Sequence, residues 1–389
     1  MDSSRRSFLG AGLALPALAS VPSQTGSPSQ PPAARGRTPV SSPKLTYGTL
    51  GRTGMKITRV SFGCMTTSDQ SVIERAVDKG INYFDTARVY QGGNNERMVG
   101  AALKGKRQQL YISTKTGAQD KAGALAHLDT SLKELGTDHV DIWYLHGKQT
   151  AAQLTDDLLE AQQIAKQAGK IRFAGVSLHT GHKEVIPAAI RSGKIDVILI
   201  SYNFTMGTTV DELVAKAKAA GLGVVAMKVM AGGFRRMKEG DPNGAILKRE
   251  GAMAAALRWV LKNPDIGTTI PSMTDMDQFE DNFRCMPAKF SPEDEKTLAA
   301  HLERISPVYC RMCSLCAGTC RKGLPVSDLL RIVTYADGYG QFALGRERYR
   351  ELPDDVTSVR CGDCSSCTVE CPHGVHVARR ISFAQEIFG

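Results

Sequence analysis

Apolar and polar positions along the chain fall into two alternating textures from Leu45 onward. Short, near-continuous apolar runs predict strands at 57–63 (ITRVSFG), 81–87 (INYFDTA), 110–115 (LYISTK) and 140–146 (VDIWYLH). Four more follow at 171–179 (IRFAGVSLH), 197–203 (VILISYN), 223–229 (GVVAMKV) and 267–273 (GTTIPSM). Between them lie segments with apolar residues three and four apart, such as QSVIERAVDKG, ERMVGAALKG, ALAHLDTSLKELG and TVDELVAKAKAAG, which predict helices. Runs apolar throughout suit parallel strands covered on both faces. Eight strand–helix units predict α/β architecture, a closed (β/α)8 TIM barrel. An open doubly wound sheet is the alternative, but no Gly-rich dinucleotide fingerprint follows the first strand. The turn-rich stretch YGTLGRTGMK (47–56) suits a hairpin plugging the barrel bottom.

The pattern changes at both ends. Residues 1–44 divide into a short apolar run behind SRRSFLG, closing on ALAS, and a Pro/Ser/Gln-rich stretch with no apolar period. The first part reads as a twin-arginine signal peptide and the second as a disordered linker. The barrel is expected over 45–304, closing with FSPEDEKTLAAHLERI, whose S-P-E-D opening signals a helix start. Residues 305–389 form a second, small, mainly helical domain rich in cysteine.

Composition narrows the function classes. The 389 residues carry a net charge of +10, of which Arg5, Arg6, Arg35, Arg37 and Lys44 against Asp2 belong to the N-terminal stretch. The remaining basic residues are scattered, which reads as a solvated surface rather than a nucleic-acid face. No apolar run reaches the roughly 18–20 residues of a membrane span.

Barrel enzymes place reacting groups at the C-terminal ends of strands. Those ends here offer Asp85 in FDTA, Tyr90 in the following loop, Lys115 in ISTK and His146 in WYLH. Each alone reads as a cap or a satisfied polar group; four in one quadrant point to chemistry.

With the opening Y-x-x-L-G-R-T-G, the segment FDTARVYQGGNNERMVGAAL and the later TTIPSMTDMDQFEDN, residues 45–300 resemble the aldo/keto reductase family. The resemblance implies hydride transfer between a nicotinamide cofactor, NAD(P)H, and a small carbonyl or alcohol substrate. Tyr90 would be the general acid, Lys115 would lower its pKa, Asp85 would hold Lys115, and His146 would orient the substrate oxygen. Ser177, Tyr202, Lys228, Ser272 and Asn282 would bind the cofactor. The pattern departs from the family at Leu178, Leu199, Met227 and Gln278, so the nicotinamide contacts look rewritten and neither NADH nor NADPH is favoured. Met227 reads as core packing. These departures leave a second reading open: an electron-transfer or structural redox subunit whose barrel no longer turns over nicotinamide.

Eight of the ten cysteines lie in the last 80 residues. Cys310, Cys313, Cys316 and Cys320 have C-x2-C-x2-C-x3-C spacing; so do Cys361, Cys364, Cys367 and Cys371, with Pro372 next. This is iron–sulfur spacing, in which the fourth cysteine of each run ligates the other cluster. It predicts two [4Fe-4S] clusters, one on Cys310, Cys313, Cys316 and Cys371, the other on Cys361, Cys364, Cys367 and Cys320. Zinc would want paired C-x-x-C units or histidines, and disulfides are cramped at this spacing. The helical stretch between the runs resembles the helical variety of two-cluster ferredoxin. Cys64 and Cys285 are expected as buried thiols, Cys64 lining the barrel mouth.

Cluster assembly in the cytoplasm would explain export of a folded protein. The expected location is periplasmic, or membrane-anchored by an uncleaved signal, with the twin-arginine machinery as a partner. A nicotinamide yields two electrons and a cluster accepts one, and no flavin motif is present. The clusters are therefore either structural or serve a redox protein partner.

Overall fold

The structure is a computed structural model, described over residues 44–233, 251–313, 315–316, 320–364 and 366–389. The proposed signal and linker lie outside the described residues. The chain begins with an antiparallel hairpin, β1 (Tyr47–Thr49) and β2 (Lys56–Thr58). The barrel strands are β3 (Phe62–Gly63), β4 (Tyr83–Asp85), β5 (Tyr111–Thr116), β6 (Val140–Leu145), β7 (Ile171–Leu178), β8 (Val197–Ser201), β9 (Gly223–Met227) and β10 (Thr268–Thr269). They pair in parallel in sequence order. Parallel bridges Val60–Thr269 and Gly63–Ser272 join the first strand to the last and close the barrel.

Helices follow the strands: α1 (Gln70–Asp78), α2 (Asn94–Ala102), α3 (Lys121–Leu135), α4 (Asp156–Gln167), α5 (His182–Ser192), α6 (Thr208–Ala219), α7 (Ala252–Leu261), α8 (Met276–Arg284) and α9 (Pro292–Ile305). Their starts follow local chemistry. Asp69 accepts from Ser71 N, Asp120 from Gly123 N, and Ser291 and Asp294 form a capping box around Pro292. Residues 310–389 add α10 (Val326–Asp337), α11 (Phe342–Arg350), the short α12 (Asp354–Thr357) and α13 (Val377–Phe388). Leu329, Val333, Tyr349, Ile381 and Phe388 form their shared core.

Side-chain alternation sorts each strand into two faces. Phe84, Ile112, Trp143, Val176, Ile198 and Val224 face the helices. Tyr83, Ile142, Tyr144, Val197, Leu199, Val225, Met227 and Ile270 gather inside the barrel, where the hairpin inserts Leu50, Met55 and Ile57. The expected bottom plug is thus present. Its contact is close: a Cβ on Gly223 would lie 2.5 Å from Leu50 Cγ, and Gly51 adopts φ 52° while crossing the Leu222–Gly223 peptide. Arg52 locks it by donating from Nε to Asp196 Oδ1 at 3.1 Å.

One expected strand divides. Residues 57–63 serve both sheets: Ile57 and Thr58 end the hairpin, and Phe62 and Gly63 enter the barrel. Thr58 and Ser61 bind each other's hydroxyls at 3.1 Å across the bend between them.

The C-terminal segment sits on the barrel mouth. Asn203 Nδ2 donates to Tyr309 OH at 3.1 Å, Arg348 Nη2 donates to Val89 O at 3.2 Å, and Met312 packs with Ala231, Ile305 and Tyr309. No described helix is long and apolar enough to cross a membrane.

Candidate active site

The inward positions of successive strands climb from an apolar floor to a polar rim. Tyr83 leads to Asp85, Ser113 to Lys115, Tyr144 to His146, and Leu199 to Ser201, each a two-residue step on the same face. Register brings these ends together, since Asp85 pairs with Ser113 and Lys115 with Tyr144.

Lys115 Nζ donates to Asp85 Oδ2 at 2.5 Å and to Thr86 O at 2.7 Å, and both side chains are almost fully enclosed. Ser113 Oγ donates to the other Asp85 oxygen at 2.6 Å. Tyr83 OH donates to Ser113 Oγ at 2.8 Å, so the pair is anchored from below. Burial opposes the Lys115 charge, but Asp85 and Tyr90 outweigh it and hold the ammonium above its ordinary value. Lys115 Nζ also lies 4.8 Å from the centroid of the Tyr90 ring. Tyr90 is buried, at 7% exposure. Burial raises its pKa; Lys115 pulls it down without reversing the shift. Lys115 thus acts in the expected direction, but burial outweighs it and leaves the Tyr90 pKa raised. The phenol stays protonated at neutral pH, the form an acid requires.

The His146 ring stands edge-on to Tyr90, with centroids 5.9 Å apart and planes at 79°. Burial and the charges of Lys115, Arg348, Arg331 and Lys148 hold His146 well below its ordinary pKa, so it is a neutral imidazole. His179, two residues beyond Ser177 on the inward face of β7, lines the cleft with Asp85 and Tyr90. It is also held neutral, chiefly by burial and then by Arg331 and Lys228. Sequence reading missed His179, although the same two-residue step from Ser177 reaches it.

The expected cofactor residues divide. Lys228, Ser272 and Asn282 line the cleft, together with Met227 and Gln278. Ser177 is fully buried, and its Oγ has no hydrogen-bond partner among the described residues. A buried hydroxyl left so is costly unless a bound group completes it, which fits an amide-bearing cofactor ring. Tyr202 is a correction. Its ring packs tilted against Trp259, centroids 5.1 Å apart, and its hydroxyl donates to Asp211 Oδ1 at 2.5 Å and accepts from Asn263 Nδ2 at 2.9 Å. It belongs to the helix-facing layer because its position, one past Ser201, points outward. Met227 is likewise more than core packing, since it forms part of the cleft floor. Cys64 faces the helices, fully buried, rather than the mouth. Cys285 is buried too, its thiol donating to Asp281 O at 3.3 Å and pushed up to about 11 by burial.

The eight C-terminal cysteines fall into two sets of four. Cys320, Cys361, Cys364 and Cys367 line one cavity of about 220 Å³. Cys310 feels the charges of Cys313, Cys316 and Cys371, and Cys316 those of Cys371 and Cys313. Each set joins three cysteines of one run to the fourth of the other. Among the described residues no three His, Cys, Asp or Glu side chains converge as on a single metal ion.

The model of the family described as "Aldo/keto reductase family" matches residues 54–303. An uncharacterized oxidoreductase, YqkF, of Bacillus subtilis is 25% identical over 297 residues, 66% of this chain and 96% of that protein. L-galactose dehydrogenase of Arabidopsis thaliana is 27% identical over 278 residues, 61% of this chain and 87% of that protein. Among solved structures, the holo form of aldo-keto reductase AKR11C1 from Bacillus halodurans superposes with a TM-score of 0.58 at 25% identity, covering 66% of this chain and 96% of that one.

Proposed function

The chain belongs to the aldo/keto reductase family, and on that footing we propose that it interconverts a carbonyl and an alcohol with Tyr90 as proton donor, and that its eight C-terminal cysteines hold two [4Fe-4S] clusters. The observation that carries the first part is the buried Lys115–Asp85 pair set against the Tyr90 ring at one end of an open cleft.

A nicotinamide, if bound in this cleft, would supply the hydride. Ser177, Ser272 and Asn282 are the residues that would hold it. Tyr90 gives its phenolic proton to the carbonyl oxygen as negative charge develops there. Lys115 stabilises the phenolate left behind, and Asp85 keeps the ammonium in place through a contact of 2.5 Å. His146, being neutral, donates a hydrogen bond to the same oxygen without competing as an acid.

Two sets of four thiols, one set around a single cavity, support the cluster reading. Cys310 shares a small cavity with Lys228, Tyr335 and Tyr339, so the Cys310 set lies on the barrel side of the segment. The paired arginines Arg5 and Arg6 support export of the loaded protein by the twin-arginine route to the periplasm.

Anaerobic purification followed by iron, sulfide and nucleotide analysis tests the proposal. Roughly eight iron and eight sulfide per chain with a bound or binding nicotinamide is expected. Iron-free protein that reduces carbonyls at full rate would remove the clusters from the function. Loaded protein that binds no nicotinamide would favour the electron-transfer subunit.

A further inference from the structure

The cleft wall at Lys228 carries positive charge that the reaction just described does not use. Lys228 stands at the end of β9 with φ 59°, a left-handed conformation rare for a residue with a side chain. Its ammonium lies 4.5 Å from the Tyr335 ring centroid and 5.2 Å from that of Tyr339, and donates to Tyr335 OH at 3.3 Å. Arg331 Nη1 reaches the same phenol oxygen at 3.0 Å. Lys148, 2% exposed, adds to the charges acting on His146.

Counter-charges account for only part of this. Arg331 pairs with Asp328 at 2.9 Å, and Arg348 with Glu351 at 2.7 Å. Among the described residues neither Lys228 nor Lys148 has a carboxylate within ion-pair distance. The local field is strong enough to act on a neutral group: burial raises the Tyr335 pKa, yet Lys228 and Arg331 bring it to about 7. Buried ammonium whose partners are phenols rather than carboxylates is costly unless a ligand completes it. Two of the cations, Arg331 and Arg348, come from the C-terminal segment, so this feature exists only because that segment covers the mouth.

We propose that the substrate is an anion, a carbonyl compound bearing a carboxylate, which Lys228 engages at the cleft wall with Arg331 adding to the field. This rests on the carbonyl-reductase reading above. Lys228 then has a specificity role: it binds the far end of the substrate while Tyr90 and His146 receive the carbonyl. The other anion that could meet Lys228 is the cofactor's own phosphates, and the test separates the two.

The probes are 4-oxobutanoate and its methyl ester, equal in length and differing in one charge. With anaerobically purified full-length protein, kcat/KM for the acid should exceed that for the ester by roughly tenfold or more, the effect of one charge-assisted contact. In Lys228→Met the ratio should collapse toward one. Calorimetry with succinate, which cannot be reduced, should show binding to wild type and roughly tenfold weaker binding to Lys228→Met. Reduction of ester and acid at equal efficiency by wild type overturns the proposal. So does a Lys228→Met variant that loses nicotinamide affinity while keeping the acid-to-ester ratio, which would assign Lys228 to cofactor phosphate. If neither probe is reduced, the carbonyl-reductase reading fails, and succinate binding still decides whether the anion site exists. Should Lys228→Met not fold, the wild-type ratio and wild-type succinate binding stand as the test.

Discussion

Lys115 Nζ sits 2.5 Å from Asp85 Oδ2 and 4.8 Å from the centre of the Tyr90 ring, so one buried ammonium is shared between a carboxylate and a phenol. Removing one member of such a pair strands a charge in the core and costs roughly 3–5 kcal/mol. Lys115→Met should therefore lower the melting temperature markedly, whereas Lys115→Met with Asp85→Asn should recover much of it. Both should lose carbonyl reduction. Lys115 pulls the Tyr90 pKa down against burial, so without it the phenol releases its proton at higher pH. Any residual activity should then show a basic limb moved upward. Thermal unfolding and a pH–rate profile read these two effects separately.

The two thiol sets predict pairwise behaviour. Cys316→Ser and Cys371→Ser should damage the same cluster, because Cys371 interacts with Cys316 and Cys310 rather than with its own run's neighbours. Cys320→Ser should damage the other, whose cavity it shares with Cys361, Cys364 and Cys367. Electron paramagnetic resonance of the three reduced variants distinguishes this from an uncrossed arrangement, in which Cys316→Ser and Cys320→Ser would leave identical spectra.

His301 is fully buried in α9 against Phe204, with centroids 5.9 Å apart and neither ring nitrogen partnered among the described residues. Burial, then Arg304, lower its pKa to about 4. The folded value lies below the unfolded one of about 6.5, so the unfolded chain takes up a proton first. Stability contributed by this group is complete above about pH 6.5 and is lost as pH falls toward 4, by about 3 kcal/mol. His301→Phe should flatten that acid decline in a urea-denaturation series at pH 7, 6 and 5. An unchanged slope would mean other groups dominate it.

Arg5→Lys with Arg6→Lys keeps the charge and removes the paired guanidinium groups. Cell fractionation should find this variant in the cytoplasm, folded and loaded. A variant lacking Cys361, Cys364 and Cys367 should be exported poorly with Arg5 and Arg6 intact, since its C-terminal segment loses metal-linked folding energy. Efficient export of that variant would separate the signal from cluster loading.

Much of this architecture was legible because parallel strands and their ends obey short-range rules. Period-two alternation carried Tyr83 to Asp85 and Ser113 to Lys115, and barrel chemistry sits at such ends. The same rule, applied one step further, would have found His179 and turned Tyr202 outward. What alternation cannot reach is the meeting of distant segments. Lys228 and Tyr335 are 107 residues apart and touch only because α10 packs over the mouth. The net rise of the Tyr90 pKa is also a packing result, since the sequence places Lys115 nearby but says nothing about how completely both are enclosed. The division of residues 57–63 between two sheets depends on a hydroxyl pair, Thr58 and Ser61, that no apolar pattern encodes.

The central claim is that this barrel transfers hydride to a carbonyl with Tyr90 as the acid. Deuteride transfer tests it most directly: anaerobic full-length protein, NADH or NADPH deuterated at the nicotinamide C4, and 4-nitrobenzaldehyde, with the alcohol analysed by mass spectrometry. Wild type should yield alcohol with one deuterium on the carbinol carbon, and Tyr90→Phe should reduce that yield by roughly 10²-fold or more while still binding the nicotinamide. Deuterated alcohol from Tyr90→Phe at the wild-type rate, or none from a wild-type protein that binds the cofactor, would contradict the account.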